Sequence, residues 1–128
     1  MNLLLDTHAW LWFVLGDAQL SASARNHILD PASVNFVSPA SYWEISIKIS
    51  LGKYTLNANY RQFMRQAIVG NGFRFLHISP RHTEQVSTLP FHHRDPFDRL
   101  LIAQAMVEGM AIVSNDGNFA PYGVHVIW

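Results

Sequence analysis

Four acidic residues lie close to apolar runs of the sequence, near positions where such a run begins or ends: Asp6, Glu44, Asp98 and Asp116. Carboxylates that are held close together repel one another, so they either take up protons or bind a divalent cation. Oxygen ligands of this kind favour Mg²⁺ or Mn²⁺ over zinc. A cation bound in this way lowers the pKa of water and holds a phosphate group. These four acids therefore suggest the hypothesis of a metal-dependent reaction at a phosphate group.

The stretch from His92 to Ala105 places two of the acids of the chain at the entrance of one helix. Asp95 followed by Pro96 predicts a helix start, because an Asp side chain caps free backbone N–H groups and proline suits the first helical position. Asp98 then falls in the first turn. We interpret Asp95 as the cap and Asp98 as a member of the acidic site, although both carboxylates also favour the positive end of the helix dipole.

Histidine and cysteine give weaker indications of metal chemistry. The chain has no cysteine, which excludes disulfides and thiolate metal sites. His92 and His93 are adjacent but lack a partner histidine at zinc-type spacing, so we interpret both as loop residues.

The elements that must position these acids follow from the apolar patterns and from turn residues. The run from Leu100 to Val107 is apolar except for Gln104, which predicts a helix buried in the core. Strands are predicted at residues 2–5, 34–37, 111–114 and 124–128, with a short strand or an extended segment at 73–78. Helices are predicted at residues 9–15, 21–29, 40–51, 60–69, 80–88 and 96–107.

This alternation of strands and helices predicts one α/β domain over residues 1–128, with a mostly parallel sheet covered by helices on both faces. The carboxyl ends of parallel strands meet at one rim, where such sheets bind ligands. Asp6 and Asp116 follow strands, and Glu44 and Asp98 lie in the first turns of helices that begin at the same rim. All four carboxylates are therefore expected to converge there.

Each acid also has a purely structural interpretation. Asp6 can cap the helix that follows it, and Asp116 lies in an Asn-Asp-Gly-Asn sequence that is typical of a turn. Glu44 and Lys48 are spaced for an ordinary surface ion pair on a helix. The apolar residues around Glu44, including Trp43 and Ile45, indicate instead that it is at least partly enclosed.

Composition and charge add a second feature, a basic middle third within a chain of zero net charge. Between Ile45 and Thr83 there are no acids, and each flank of this segment carries a net charge of −3. Basic residues next to clustered carboxylates are compatible with a polyanion that is handled through bound cations. The candidates for contact with RNA or a protein partner are Lys48, Lys53, Arg61, Arg65 and Arg99. The alternative interpretation is that this basic segment is only a solvated surface that happens to lack acids.

The spaced motifs Leu4-Leu5-Asp6-Thr7-His8-Ala9-Trp10, Trp43-Glu44-Ile45, Arg94-Asp95-Pro96-Phe97-Asp98-Arg99 and Val113-Ser114-Asn115-Asp116 resemble those of PIN-domain ribonucleases of the VapC toxin type. The resemblance implies a three-layer α/β/α sandwich with a five-stranded parallel sheet. It implies an endoribonuclease that depends on Mg²⁺ or Mn²⁺ and is inhibited by a cognate antitoxin protein. The metal-site acids of the family fall on Asp6, Glu44, Asp98 and Asp116, and its small hydroxyl residues match Thr7 and Ser114.

Asp95 and Asn115 are placed beside this site, in supporting or substrate-positioning roles. We expect a homodimer in the cytoplasm, without a leader or a membrane segment.

One rival function is that of the haloacid dehalogenase-like phosphatases, another kind of Mg²⁺-dependent phosphate hydrolase. In that group the residue two positions after the first Asp is an acid, whereas here it is His8. The other rival is a non-catalytic binding or regulatory module, which metal titration combined with an RNA turnover assay separates from a nuclease.

Overall fold

The computed structural model describes Met1–Trp128. The chain forms five strands and six α-helices, with two helices after each of the first three strands. The strands are β1 (Asn2–Leu5), β2 (Val34–Val37), β3 (Arg74–Phe75), β4 (Ala111–Val113) and β5 (Val126–Ile127). The helices are α1 (Thr7–Leu15), α2 (Ala22–Leu29), α3 (Pro39–Ser50), α4 (Tyr60–Ala67), α5 (Pro80–Thr88) and α6 (Pro96–Glu108).

All five strands are parallel and lie in the order β3-β2-β1-β4-β5. The central strand β1 pairs with β2 on one side and with β4 on the other, where Leu3 lies opposite Ala111. This arrangement confirms the predicted α/β fold with a parallel sheet of five strands.

The apolar residues of β1 face alternate sides of the sheet, which places a core on each face. Leu3 and Leu5 belong to a core with residues of α1, α2 and α4, whereas Leu4 belongs to a second core built largely on α6. Both faces of the sheet are therefore covered, as the continuous apolar run of this strand predicts.

Helix α6 is the helix predicted to be buried. Leu101, Ile102, Ala103 and Ala105 are all nearly inaccessible to solvent, and the amide of Gln104 donates a hydrogen bond to the carbonyl of Leu76 at 3.3 Å. Burial fades over the last turn, where Met106 is 42% exposed. The helix ends at Gly109, whose φ of +67° is a conformation that favours glycine.

The edges of the sheet are shorter than predicted. Residues 73–78, predicted as a short strand or an extended segment, contain the two-residue strand β3, whose ladder with β2 has two residue pairs. Strand β5 likewise covers only two residues of the predicted 124–128. Helix α4 ends at Ala67 rather than at the predicted Val69, and a 3₁₀ turn follows at Val69–Asn71.

None of the helices combines the length and the hydropathy that crossing a membrane requires.

Candidate active site

A cavity of about 250 Å³ lies at the carboxyl ends of the central strands, and all nine residues that line it are polar or charged. It contains the four predicted acids together with the predicted residues Thr7, Lys48 and Asp95. Two histidines complete it. The nine residues are Asp6, Thr7, His8, Glu44, Lys48, His93, Asp95, Asp98 and Asp116.

Asp6 is at once a helix cap and a buried member of this cavity. One oxygen of its carboxylate accepts a 2.7 Å hydrogen bond from the backbone N–H of Ala9, so the predicted capping role is confirmed. The residue is only 5% exposed, and burial raises the pKa of Asp6 above its ordinary value. Hydrogen bonds from the Ser114 side chain and from Ala9 oppose this rise in pKa, whereas the nearby Asp116 carboxylate adds to it.

Glu44 is held from two sides. The hydroxyl of Thr7 donates a 2.7 Å hydrogen bond to Oε1 of Glu44, and Nζ of Lys48 lies 3.4 Å from Oε2. The predicted helical ion pair is therefore present, and Glu44 still lines the cavity. Its side chain is 16% exposed, which confirms partial enclosure. Trp43 does not take part in enclosing it as the sequence suggested, because that residue is 60% exposed.

Asp98 has the closest titratable neighbours in the cavity. Its Oδ2 lies 2.8 Å from Nε2 of His93, and one candidate ligand atom from each of His93, Asp95 and Asp98 falls within 4.8 Å of the others. Burial, followed by the charges of Asp95 and Asp116, raises the pKa of Asp98 to about 6, although the hydrogen bond with His93 lowers it. A carboxyl group in this environment is costly to ionise unless a cation is nearby.

Asp95 is the cap of α6, as predicted. Its Oδ1 accepts hydrogen bonds from the backbone N–H groups of Phe97 at 2.8 Å and Asp98 at 3.2 Å. The side chain also reaches the cavity. Asp95 therefore caps α6 and also lies close to the other acids of the cavity.

The segment after β4 folds as a polar turn. The backbone N–H of Asp116 donates to the hydroxyl oxygen of Ser114 at 2.9 Å, and Oδ1 of Asp116 accepts two bonds from Asn118, both of 2.9 Å. The turn chemistry predicted for this sequence is thus present, and Asp116 still lines the cavity. Asn115 is exposed and does not line the cavity, so nothing in the geometry connects Asn115 with the four acids.

Most of the predicted basic contacts lie outside the cavity. Lys53, Arg61 and Arg65 are exposed and do not line it, whereas Lys48 lines it beside Glu44.

The prediction that Arg99 contacts RNA or a partner is wrong. Arg99 is 5% exposed, and its guanidinium group donates to oxygen atoms of the protein itself. It also lies over the ring of Phe91, at 4.1 Å from the ring centroid. Because both terminal nitrogens of the guanidinium group are bonded inside the protein and the residue is buried, Arg99 is not placed to contact a phosphate in solvent. Its acceptors are the carbonyl oxygens of Val86, Leu89, Pro90 and His93 and the hydroxyl of Tyr122.

His8 and His93 are the cavity residues that were not predicted to belong to the site. His93 lies in a loop, as predicted, but its backbone is fixed there. Its N–H donates to the hydroxyl of Tyr122 at 3.0 Å, and its carbonyl accepts from Arg99. These backbone hydrogen bonds hold His93 where its imidazole ring contacts Asp98. The only signal in the sequence was the position of each histidine, two residues after Asp6 and two residues before Asp95.

The sequence matches the PIN domain family over residues 3–124. Among solved structures, VapBC2 from Rickettsia felis bound to a DNA fragment from its promoter aligns with a TM-score of 0.70 at 14% identity, covering 98% of this chain and 97% of that one. VapBC-1 from nontypeable Haemophilus influenzae gives 0.68 at 14% identity, covering 98% and 96%. FitAcB from Neisseria gonorrhoeae gives 0.64 at 16% identity, covering 97% and 95%. No curated protein matches the sequence significantly.

Proposed function

Because its sequence matches the family over residues 3–124, the chain belongs to the PIN domain family, and we propose that it is a divalent-metal-dependent endoribonuclease acting as the toxin of a toxin–antitoxin pair. The observation that carries this proposal is the convergence of Asp6, Glu44, Asp98 and Asp116 on one fully polar cavity. Two of these carboxyl groups have a raised pKa because they are buried beside other acids. A bound cation would offset that penalty.

The residues present fit Mg²⁺ or Mn²⁺, because the donor set is dominated by carboxylate oxygens. Asp6, Glu44, Asp98 and Asp116 would hold the ion. When bound, such an ion lowers the pKa of water and neutralises charge on a phosphodiester group.

Neighbouring residues of the chain position these carboxylates. Thr7 donates a hydrogen bond to Glu44, and His93 is hydrogen-bonded to Asp98. The Ser114 side chain lies close enough to Asp6 to lower the pKa of its carboxyl group. Partners that hydrogen-bond a ligating group in this way fix its orientation. Lys48, beside Glu44, brings a positive charge to the cavity, where it would attract a phosphate of the substrate.

We predict that the purified protein cleaves single-stranded or loop RNA only when Mg²⁺ or Mn²⁺ is present. EDTA should abolish cleavage and added Mn²⁺ should restore it, with products that carry a 5′-phosphate and a 3′-hydroxyl. An Asp6→Asn, Asp116→Asn double variant purified in parallel controls for contaminating nucleases. Undiminished cleavage after complete metal removal would refute the mechanism, and a cyclic phosphate product would point to base catalysis by a histidine.

We also predict that Arg61 and Arg65, one turn apart on α4, attract RNA by charge. The Arg61→Glu, Arg65→Glu variant should bind RNA more weakly, and the slope of log K against log salt should decrease by about 0.7 for each phosphate that the protein no longer neutralises. Arg81→Glu is the matched control, because Arg81 is an exposed arginine of α5, a helix on the other face of the sheet. An unchanged slope in the double variant would mean that this surface is only solvated.

The toxin role rests on the motif resemblance and on the likeness in fold to structures named VapBC2 and VapBC-1. It implies a small antitoxin, and the most direct observation is whether a short reading frame with a DNA-binding N-terminal part adjoins this gene. Co-expression of the two chains should give a complex in which RNA cleavage is suppressed. Light scattering of the isolated protein tests the expected homodimer.

A further inference from the structure

Trp43 is the most exposed of the four tryptophans of the chain. Its side chain is 60% exposed, whereas Trp10 is completely buried, and Trp12 and Trp128 are partly buried against each other. An indole ring left this open to water on a helix is a common feature of binding surfaces, because it offers a large rigid face at a low entropy cost.

The position of Trp43 is defined by its neighbours. It directly precedes Glu44 on α3, and consecutive side chains on a helix diverge by about 100°. The indole therefore lies beside the cavity rather than inside it, in agreement with its absence from the cavity lining.

Phe97 supports the indole from the facing helix. The centroids of the two rings are 5.3 Å apart and their planes are inclined by 75°, an edge-to-face contact. Phe97 itself is partly buried against the core and directly precedes Asp98. An aromatic pair thus joins α3 to α6 at the two positions adjacent to the site acids Glu44 and Asp98.

We infer that Trp43, supported by Phe97, is a stacking platform for one unpaired nucleobase next to the phosphate that occupies the cavity. This inference rests on the proposed function, which supplies the phosphate. Every nucleobase has a flat π-face, so stacking on an exposed indole is tolerant of sequence but requires a base that is not enclosed in a duplex. The platform therefore favours single-stranded or loop RNA. The basic side chain that lines the cavity, Lys48, lies one turn beyond Glu44 on α3, where it would meet the phosphate in the cavity.

The test is a cycle that combines protein variants with modified RNA. A short single-stranded RNA is cleaved intact and after replacement, one at a time, of the nucleotides flanking the cut by abasic residues. For the wild-type protein, one abasic replacement should lower kcat/KM by about 5-fold to 150-fold, the range expected for loss of one base–aromatic stack. Trp43→Leu should lower kcat/KM similarly on intact RNA and should show no further loss on that abasic RNA. Trp43→Phe should retain most of the abasic effect.

Phe75→Leu is the matched control. Phe75 is 42% exposed and makes an edge-to-face contact with Tyr42 at 6.2 Å, but it does not line the cavity. This variant should show the wild-type dependence on abasic replacement.

Two outcomes would overturn the inference. One is an undiminished abasic effect in Trp43→Leu, and the other is a change of oligomeric state in that variant by light scattering, which would make Trp43 a contact between copies of the chain. If the wild-type protein cleaves no RNA, the proposed function fails on its own. The same cycle measured as Kd for the same oligonucleotides then decides whether Trp43 stacks on a base.

Discussion

Asp98→Asn is expected to lower RNA cleavage by more than about 100-fold, because loss of a residue that merely supports a metal ligand already costs about 10-fold to 100-fold. Asn keeps the shape of the side chain and an oxygen that can accept a hydrogen bond from His93, but it removes one charge from the carboxylate cluster. Cleavage rates and Mn²⁺ affinity should therefore decrease together. The measurement is a single-turnover cleavage assay, with Mn²⁺ binding followed by calorimetry.

The same variant should not lose stability when metal is absent. The pKa of Asp98 is raised from 3.8 to about 6, so ionising this group destabilises the folded state. The penalty is absent below pH 3.8, grows up to about pH 6 and is complete above it. In EDTA at pH 7.5, Asp98→Asn should thus be more stable than the wild type by up to about 3 kcal/mol, and the difference should shrink towards pH 4. Asp30→Asn is the control, because Asp30 is exposed and its side chain accepts one hydrogen bond, from the backbone N–H of Ala32.

Asp95 provides the matched comparison in the activity assay. Asp95→Asn keeps an oxygen for the N–H groups of Phe97 and Asp98, so it should retain both the cap and most of the activity. Asp95→Ala should lose about 1 kcal/mol of stability. If Asp98→Asn kept full activity and Asp95→Asn lost it, Asp95 would be the metal ligand of this pair.

Arg99→Leu is expected to destabilise the protein by about 3 kcal/mol, since hydrogen bonds from a charged group contribute about 1.5–3 kcal/mol and a buried acceptor left without its donor costs about 1–3 kcal/mol. The carbonyl of Leu89 would lose its donor. The carbonyls of Val86 and Pro90 would lose the charged donor but keep the N–H of Leu89 and the hydroxyl of Tyr122, respectively. Arg99→Lys should be intermediate, because an ammonium group has fewer donors and lacks the planar fork of arginine. Urea denaturation measures both variants.

Arg94→Leu serves as the control for this prediction, because Arg94 is an exposed arginine in the loop just before α6, and its replacement should change stability by no more than about 0.5 kcal/mol. Wild-type stability in Arg99→Leu would show that water satisfies the freed carbonyl of Leu89. Because the carbonyl of His93 also accepts from Arg99, the variant should in addition weaken Mn²⁺ binding.

The convergence of the four acids on one cavity could be predicted from the sequence because each is tied to a local signal. Asp6 follows an apolar strand, and Asp98 follows an Asp-Pro helix start. Such signals depend on neighbours in the chain, and they also placed β1 and the start of α6 correctly.

The role of Arg99 could not be predicted in this way, because its acceptors lie on α5, in the following loop and at Tyr122. One clue was present, since Arg99 occupies the same helix face as Ile102 and Ala103, both of which are buried. The orientation of His93 depends on the same distant residues, Arg99 and Tyr122. The ends of β3 and β5 could not be predicted either, because the length of an edge strand depends on how many residues pair with a neighbouring strand that is distant in sequence or on another element.

The central position of β1 has a consequence for how this protein is made. Asp6 follows β1, whereas Asp116 follows β4, and the two strands pair although nearly the whole chain separates them. During synthesis, β1 leaves the ribosome long before the strand that completes its other side. The acidic cavity therefore cannot assemble on the nascent chain until β4 has emerged, and pairing over such a distance in sequence is slow. A chain truncated before β4 should consequently carry no nuclease activity, because it lacks both Asp116 and the strand that pairs with this side of β1.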